Sequence, residues 1–258
     1  MKCFIAVFLL TFAFTAVSYA NDCSVSGQGG RWKILKGEHN SVQMVSETVN
    51  ISVVLTDDNT QNNFNYKTVA TFIFTNHGKA QTVKMGFPEC SYGDFSGGFL
   101  YFHTCVDGRE VNAIRSVLDP ESEDSSTYIP FNPDSIDCEN GFEALWIKEV
   151  SFQENETKTI TVEYMSPVNS GVAVSGKGIE YWISYDFTGG NWYGVVEESK
   201  VIVDIPSKFK LLSNGIFDSS EEKKYSGFKK TVHDKKTFLT ASVKNWQAEG
   251  ILNIKFKK

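Results

Sequence analysis

Beyond its first twenty residues, this chain has no apolar run long enough to cross a bilayer as a helix. It also has no excess of positive charge. The formal net charge is −6, and loss of Lys2 with an N-terminal leader would make it more negative. That balance offers no broad basic surface for nucleic acid or anionic lipid. Histidine is scarce: His39, His77, His103 and His233 are scattered. Only His103 lies on a strand pattern, sharing a face with Cys105 and opposite Phe102 and Thr104, which reads as a surface histidine without catalytic partners. No Gly-x-Ser-x-Gly elbow occurs. No two cysteines stand at Cys-x-x-Cys spacing, which argues against a metal site. The acidic group Asp119, Glu121, Glu123 and Asp124 lacks the Asp-x-Asp-x-Asp-Gly order of a calcium loop, and Asp57-Asp58-Asn59 reads as a turn. Gly27–Gly30 and Gly176–Gly178 do not follow a strand and open a helix, so they are not phosphate loops. No catalytic residue and no cofactor is expected.

What is present begins with the amino terminus. Met1-Lys2 is a short positive start, Phe4–Val17 is apolar, and Ser18-Tyr19-Ala20 puts small residues at the −3 and −1 positions of a signal peptidase site. Residues 1–20 read as a signal peptide, too short and wrongly flanked for a spanning helix. The mature chain, from Asn21, is therefore expected to be secreted or periplasmic.

Period-two alternation dominates the mature chain. Val49, Ile51, Val53 and Leu55 form one face of a strand. Ile160, Val162 and Tyr164 form another, as do Ile179, Tyr181, Ile183, Tyr185 and Phe187; Val201, Val203 and Ile205; and Leu252, Ile254 and Phe256. Such alternation marks half-buried strands, and almost no helix is expected after the leader. Asp107-Gly108 is the dipeptide of a two-residue hairpin, and Asn76-His77-Gly78 marks a further turn. The fold class is all-β, an antiparallel β-sandwich. Residues 118–140 read as a long acidic surface loop. Ser166–Gly171 reads as a linker, which divides the chain into a sandwich over 21–168 and a second over 169–258; a single continuous sandwich is the alternative.

Four cysteines remain after the leader: Cys23, Cys90, Cys105 and Cys138. An even number in an exported chain favours two disulfides, with three connectivities open. If Val83–Phe87, Phe99–Val106 and Glu110–Ile114 formed a meander, Cys90 and Cys105 would lie at opposite ends of it, about 20 Å apart, too far for a bridge. The expectation leans to Cys90–Cys138 and Cys23–Cys105.

Several motifs occur in a recognisable order: Met44-Val45-Ser46-Glu47, Gly86-Phe87-Pro88, Val106-Asp107-Gly108 and Thr188-Gly189-Gly190-Asn191-Trp192. This order resembles a family of bacterial exported proteins known only as a domain of unknown function, over roughly residues 40–205. The resemblance implies export and a β fold; it carries no catalytic residues. The cysteines and the 118–140 loop depart from its pattern.

Aromatics are the better lead to function. Trp182, Trp192 and Tyr193 fall close together beside Gly189, Gly190 and Gly194, and could stack on a sugar ring or anchor a protein. The bland alternative folds Trp192 back over the end of the sandwich. Trp182 projects from the otherwise polar face of its strand. Asn50-Ile51-Ser52 and Asn155-Glu156-Thr157 match the glycosylation sequon, which has meaning only in a eukaryotic secreted chain. The expected function is a non-enzymatic module that binds a protein or glycan at the cell envelope. A secreted glycosidase-like hydrolase with an unrecognised carboxylate pair and a purely structural spacer are the rival readings.

Overall fold

The computed structural model describes residues 23–28, 31–34, 41–55, 64–89, 98–117, 144–173, 178–189, 192–217 and 223–258. These residues form eighteen strands and no α-helix. The two longest strands show how the sequence builds the main sheet. Along β4 (Phe64–Asn76) burial alternates without a break, so that Phe64, Tyr66, Thr68, Ala70, Phe72, Phe74 and Asn76 all face inward. Along β3 (Val42–Leu55) the alternation slips once. Val42 and Met44 are buried, then Glu47, Val49, Ile51 and Val53. A bulge between Met44 and Ser46 adds the residue that shifts the parity.

β3 and β4 form the centre of an eight-stranded sheet. From β4 it continues through β10 (Thr157–Pro167), β6 (Tyr101–Val106) and β7 (Arg109–Glu110); from β3 it continues through β13 (Val196–Pro206), β17 (Lys236–Trp246) and β16 (Lys229–His233). Its pairings are antiparallel except for β13 on β3, which runs parallel from Glu198 opposite Ser46 to Asp204 opposite Ser52.

Two five-stranded sheets lie against the inner face of this large sheet. The first joins β1 (Cys23–Gln28), β2 (Arg31–Ile34), β5 (Gln81–Glu89), β8 (Ile114–Val117) and β9 (Ala144–Phe152) in the order β2-β1-β5-β9-β8. The second joins β11 (Asn169–Val172), β12 (Ile179–Thr188), β14 (Lys210–Phe217), β15 (Lys223–Tyr225) and β18 (Glu249–Lys257) in the order β11-β12-β18-β14-β15. From the first, Phe87 meets Tyr164 at 5.4 Å and Trp146 stacks on Phe102 at 4.7 Å. From the second, Tyr181 meets Phe64 at 5.1 Å and Phe187 meets Trp246 at 5.2 Å. The apolar faces of all three sheets merge into one buried cluster, the layered packing expected of sheets with one greasy face each.

This arrangement agrees with the all-β, mostly antiparallel expectation and differs from it in connectivity. Strands from both sides of Val168 share the large sheet, so the expected division into 21–168 and 169–258 is not a division of the sheets. Ser166–Gly171 is not a free linker. Ser166 and Pro167 end β10 opposite Tyr66 and Asn65, the Val168 amide donates to the Phe64 carbonyl at 2.7 Å, and Asn169 opens β11. The expected meander is also absent, because β5 belongs to a small sheet and β6 to the large one.

The disulfide expectation is corrected with it. Among the described residues there is no disulfide, and Cys105 is a free thiol. Cys105 lies on the outer face of the large sheet, opposite Thr161, whereas the backbone of Cys23 pairs with Gly86 in a different sheet. Cys90 and Cys138 lie outside the described residues, as do the signal peptide, the 118–140 loop with Asp119, Glu121, Glu123 and Asp124, and His39.

Candidate binding face

The three aromatic residues singled out by the sequence do not form one surface. Trp192 is 3% exposed and packs edge-on against Phe74 at 4.7 Å, with its amide donating to the Gly189 carbonyl. It closes one end of the core, in keeping with the bland alternative. Tyr193 is 49% exposed. Its amide donates to the Val42 carbonyl, and its ring lies 5.9 Å from that of His77, which bonds Gln43 Oε1 at 2.8 Å. Trp182 is elsewhere. From Trp182 to the end of β12 is about 20 Å of extended chain.

Trp182 lies on the outer face of the second small sheet. The period-two pattern sends Tyr181, Ile183, Tyr185 and Phe187 into the core and Trp182, Ser184 and Asp186 to the other side. Trp182 is flanked by Asn169 on β11 and Lys255 on β18. Its indole lies over Gly171, where an added Cβ would stand 3.1 Å from the ring, so the absence of a side chain there makes room for the ring. In the next row Ser184 faces Asn253, which in turn faces Gly215 on β14. Ser184 is 1% exposed, and neither its Oγ nor Asn253 Oδ1 has a hydrogen-bond partner. Each such orphan costs roughly 1–3 kcal/mol. Both oxygens are closed off from solvent, so they mark a polar seam within the packing beside the ring and not part of an open surface.

Other polar clusters are internally satisfied. On the outer face of the large sheet, Glu163 accepts from Lys67 at 2.7 Å and from the Tyr101 hydroxyl at 2.9 Å. Partial burial opposes ionisation of Glu163, but those two donors outweigh it and hold its carboxyl below the ordinary value. Lys67 is raised in turn by its bond to Glu163, and Tyr101 is raised first by burial and then by the same carboxylate. His103 is exposed, 3.5 Å from Glu110, as a surface histidine should be. His233 stacks on Phe238 beside Asp234.

Among the buried carboxylates, Glu89 and Glu47 face the core, and neither was a candidate site residue in the sequence. Glu89 accepts from Arg115 Nη2 at 2.9 Å and from the Trp146 indole at 2.5 Å. Glu47 accepts from Ser199 Oγ at 2.5 Å, and Ser199 accepts from the Trp246 indole at 2.8 Å. A signal was available. Glu89 is in phase with Val83, Met85 and Phe87, and Glu47 with Val49, Ile51 and Val53, so period two alone puts both carboxylates on the apolar face. Among the described residues, no three His, Cys, Asp or Glu side chains gather in a geometry that could hold a metal ion, and no helix is long and apolar enough to cross a membrane.

The molecule is thus a three-sheet β-sandwich with an aromatic, polar-lined outer face. No family model matches the chain, and no curated protein matches it. Among solved structures it is similar to a provisionally assigned nutrient binding protein from Legionella pneumophila subsp. pneumophila. That likeness has a TM-score of 0.64 and 17% identity over 94% of this chain and 72% of the other, and it establishes a shared fold. A second likeness, to an M1 zinc metallopeptidase from Deinococcus radiodurans, has a TM-score of 0.43 and 10% identity over 86% of this chain and 43% of the other.

Proposed function

We propose that this protein is an exported, non-catalytic binding module that acts at the cell envelope and recognises a glycan through the outer face of its second small sheet. The observation that carries the proposal is Trp182 on the outer face of β12, seated over Gly171 between Asn169 and Lys255. An aromatic face supplies a stacking plane for a sugar ring, and the Asn169 amide and the Lys255 ammonium next to it supply hydrogen-bond donors for hydroxyls. The nutrient-binding description attached to the Legionella protein of similar fold is consistent with a binding role. The leader at residues 1–20 supports export. Non-catalysis is supported by the partners of the carboxylates: Glu89, Glu47 and Glu163 are each committed to donors on neighbouring strands, and Glu163 is held ionised rather than poised as an acid.

The test is a titration of the protein against a panel of oligosaccharides, with reducing-end assay of the same mixtures. Wild type is expected to bind one class of glycan without cleaving it, and Trp182→Ala to bind at least about tenfold more weakly, the loss of a stacked ring, while retaining the same far-UV circular dichroism. Release of new reducing ends would overturn the non-catalytic reading in favour of a hydrolase. Undiminished binding by Trp182→Ala would remove this face as the site.

A further inference from the structure

Residues 200–258 hold thirteen lysines against six acidic residues, in a chain whose net charge is −6. The fold gathers several of these lysines on the face that carries Trp182. Lys255 stands directly across from Trp182, and Lys257, two residues on, stands across from Lys210 of β14. Like charges directly opposite one another on a sheet are destabilising. Among the described residues none of Lys210, Lys255 and Lys257 makes an ion pair. Glu180 faces Lys257 in register from β12 without pairing with it, and Asp186 lies on the same face two rows away and has a partner of its own. Three ammonium groups, against the single carboxylate of Glu180 that has no partner of its own on this face, therefore sit within roughly one or two pyranose rings of the indole, given strands about 4.8 Å apart and about 6.6 Å between alternate residues.

Resting on the binding reading above, we infer that the ligand of this face is an acidic glycan. One ring stacks on Trp182, its hydroxyls reach Asn169, and the carboxylates of that ring and the next are held by Lys210, Lys255 and Lys257. The indole held over Gly171 is the independent sign that this face offers a stacking platform. The lysines specify which kind. A neutral sugar would leave their mutual repulsion in place, whereas an anionic one relieves it. The local field, rather than the net charge, steers the approach.

The experiment uses the full chain and three probes: a uronic acid oligomer, the same oligomer with its carboxyls reduced to alcohols, and vesicles rich in anionic phospholipid. The acidic oligomer is expected to bind about tenfold more tightly than its reduced form, the size of two partly exposed ion pairs. That preference is expected to shrink as salt is raised well above physiological strength. The triple variant Lys210→Gln/Lys255→Gln/Lys257→Gln should bind both oligomers alike, at the affinity that wild type shows for the reduced one. Equal affinity of wild type for the two oligomers, or a preference that survives the triple variant, overturns the inference while leaving the Trp182 face as a neutral-glycan site. Failure to bind either oligomer sinks both. Vesicle binding stronger than oligomer binding replaces the glycan with a membrane surface.

Discussion

Glu163 shows how one side chain on a solvent-facing sheet gains a pH dependence. It is bonded to Lys67 and to Tyr101, and both it and Lys67 are about one-third exposed, so the pair is worth roughly 0.5–1 kcal/mol after solvent screening. The carboxyl is depressed in the folded state, against the effect of burial, by the ammonium and the phenol. Its contribution is therefore present above the unfolded carboxyl value and lost as pH falls through the folded one. Lys67 is raised by the same bond, so its contribution is present below the unfolded lysine value and lost as pH climbs past the folded one. Glu163→Gln should cost about 0.5–1 kcal/mol at pH 7, and the gap to wild type should close at the acid end of a urea-melt series. A gap that stays constant down to the acid-unfolding limit would show that Glu163 acts through packing rather than charge.

At the scale of elements, what could be read from the sequence divides by range. The Asp107-Gly108 hairpin was legible because its cause is local: both residues have positive φ, 51° and 73°, and β6 and β7 pair across them. The alternation of β10, β12, β13 and β18 was legible for the same reason. The β3 bulge was not, since one extra residue at Val45 leaves no mark in composition. Nor did Asn76-His77-Gly78 say that β5 would leave the large sheet. That turn is held by Asn76, whose buried amide donates to the carbonyls of Lys79 at 2.8 Å and Gln153 at 2.9 Å, and the second of these partners is remote in sequence. The hairpin gives a clean test of the local rule. A Cβ at Gly108 would meet nothing within 4 Å, so Gly108→Ala changes backbone strain alone. It should cost about 1–2 kcal/mol, a drop of several degrees in Tm for a chain of this size, and Gly108→Asn should recover much of it because asparagine tolerates the left-handed region. Equal losses for Ala and Asn would mean that something other than φ is at stake.

For the whole molecule, the consequential contact is one that no local pattern encodes: β13 entering the large sheet parallel to β3, with Val201 beside Val49 and Val203 beside Ile51. It joins the two halves that composition had suggested were separate, and the single buried cluster runs across the join. A fragment ending at Val168 would leave β3 with an open edge from Ser46 to Ser52, and such edges pair promiscuously. It would also strip Tyr181 from Phe64 and Trp192 from Phe74, exposing large aromatics that nothing in the fragment can cover. The free energy of the fold is shared across that boundary, so the full chain is expected to unfold in one cooperative step by both far-UV and near-UV circular dichroism. Residues 21–168 alone should give no near-UV signal and no cooperative melt. A fragment that melts sharply with a native-like aromatic spectrum would show instead that the first half is a domain in its own right, with β13 only laid against it.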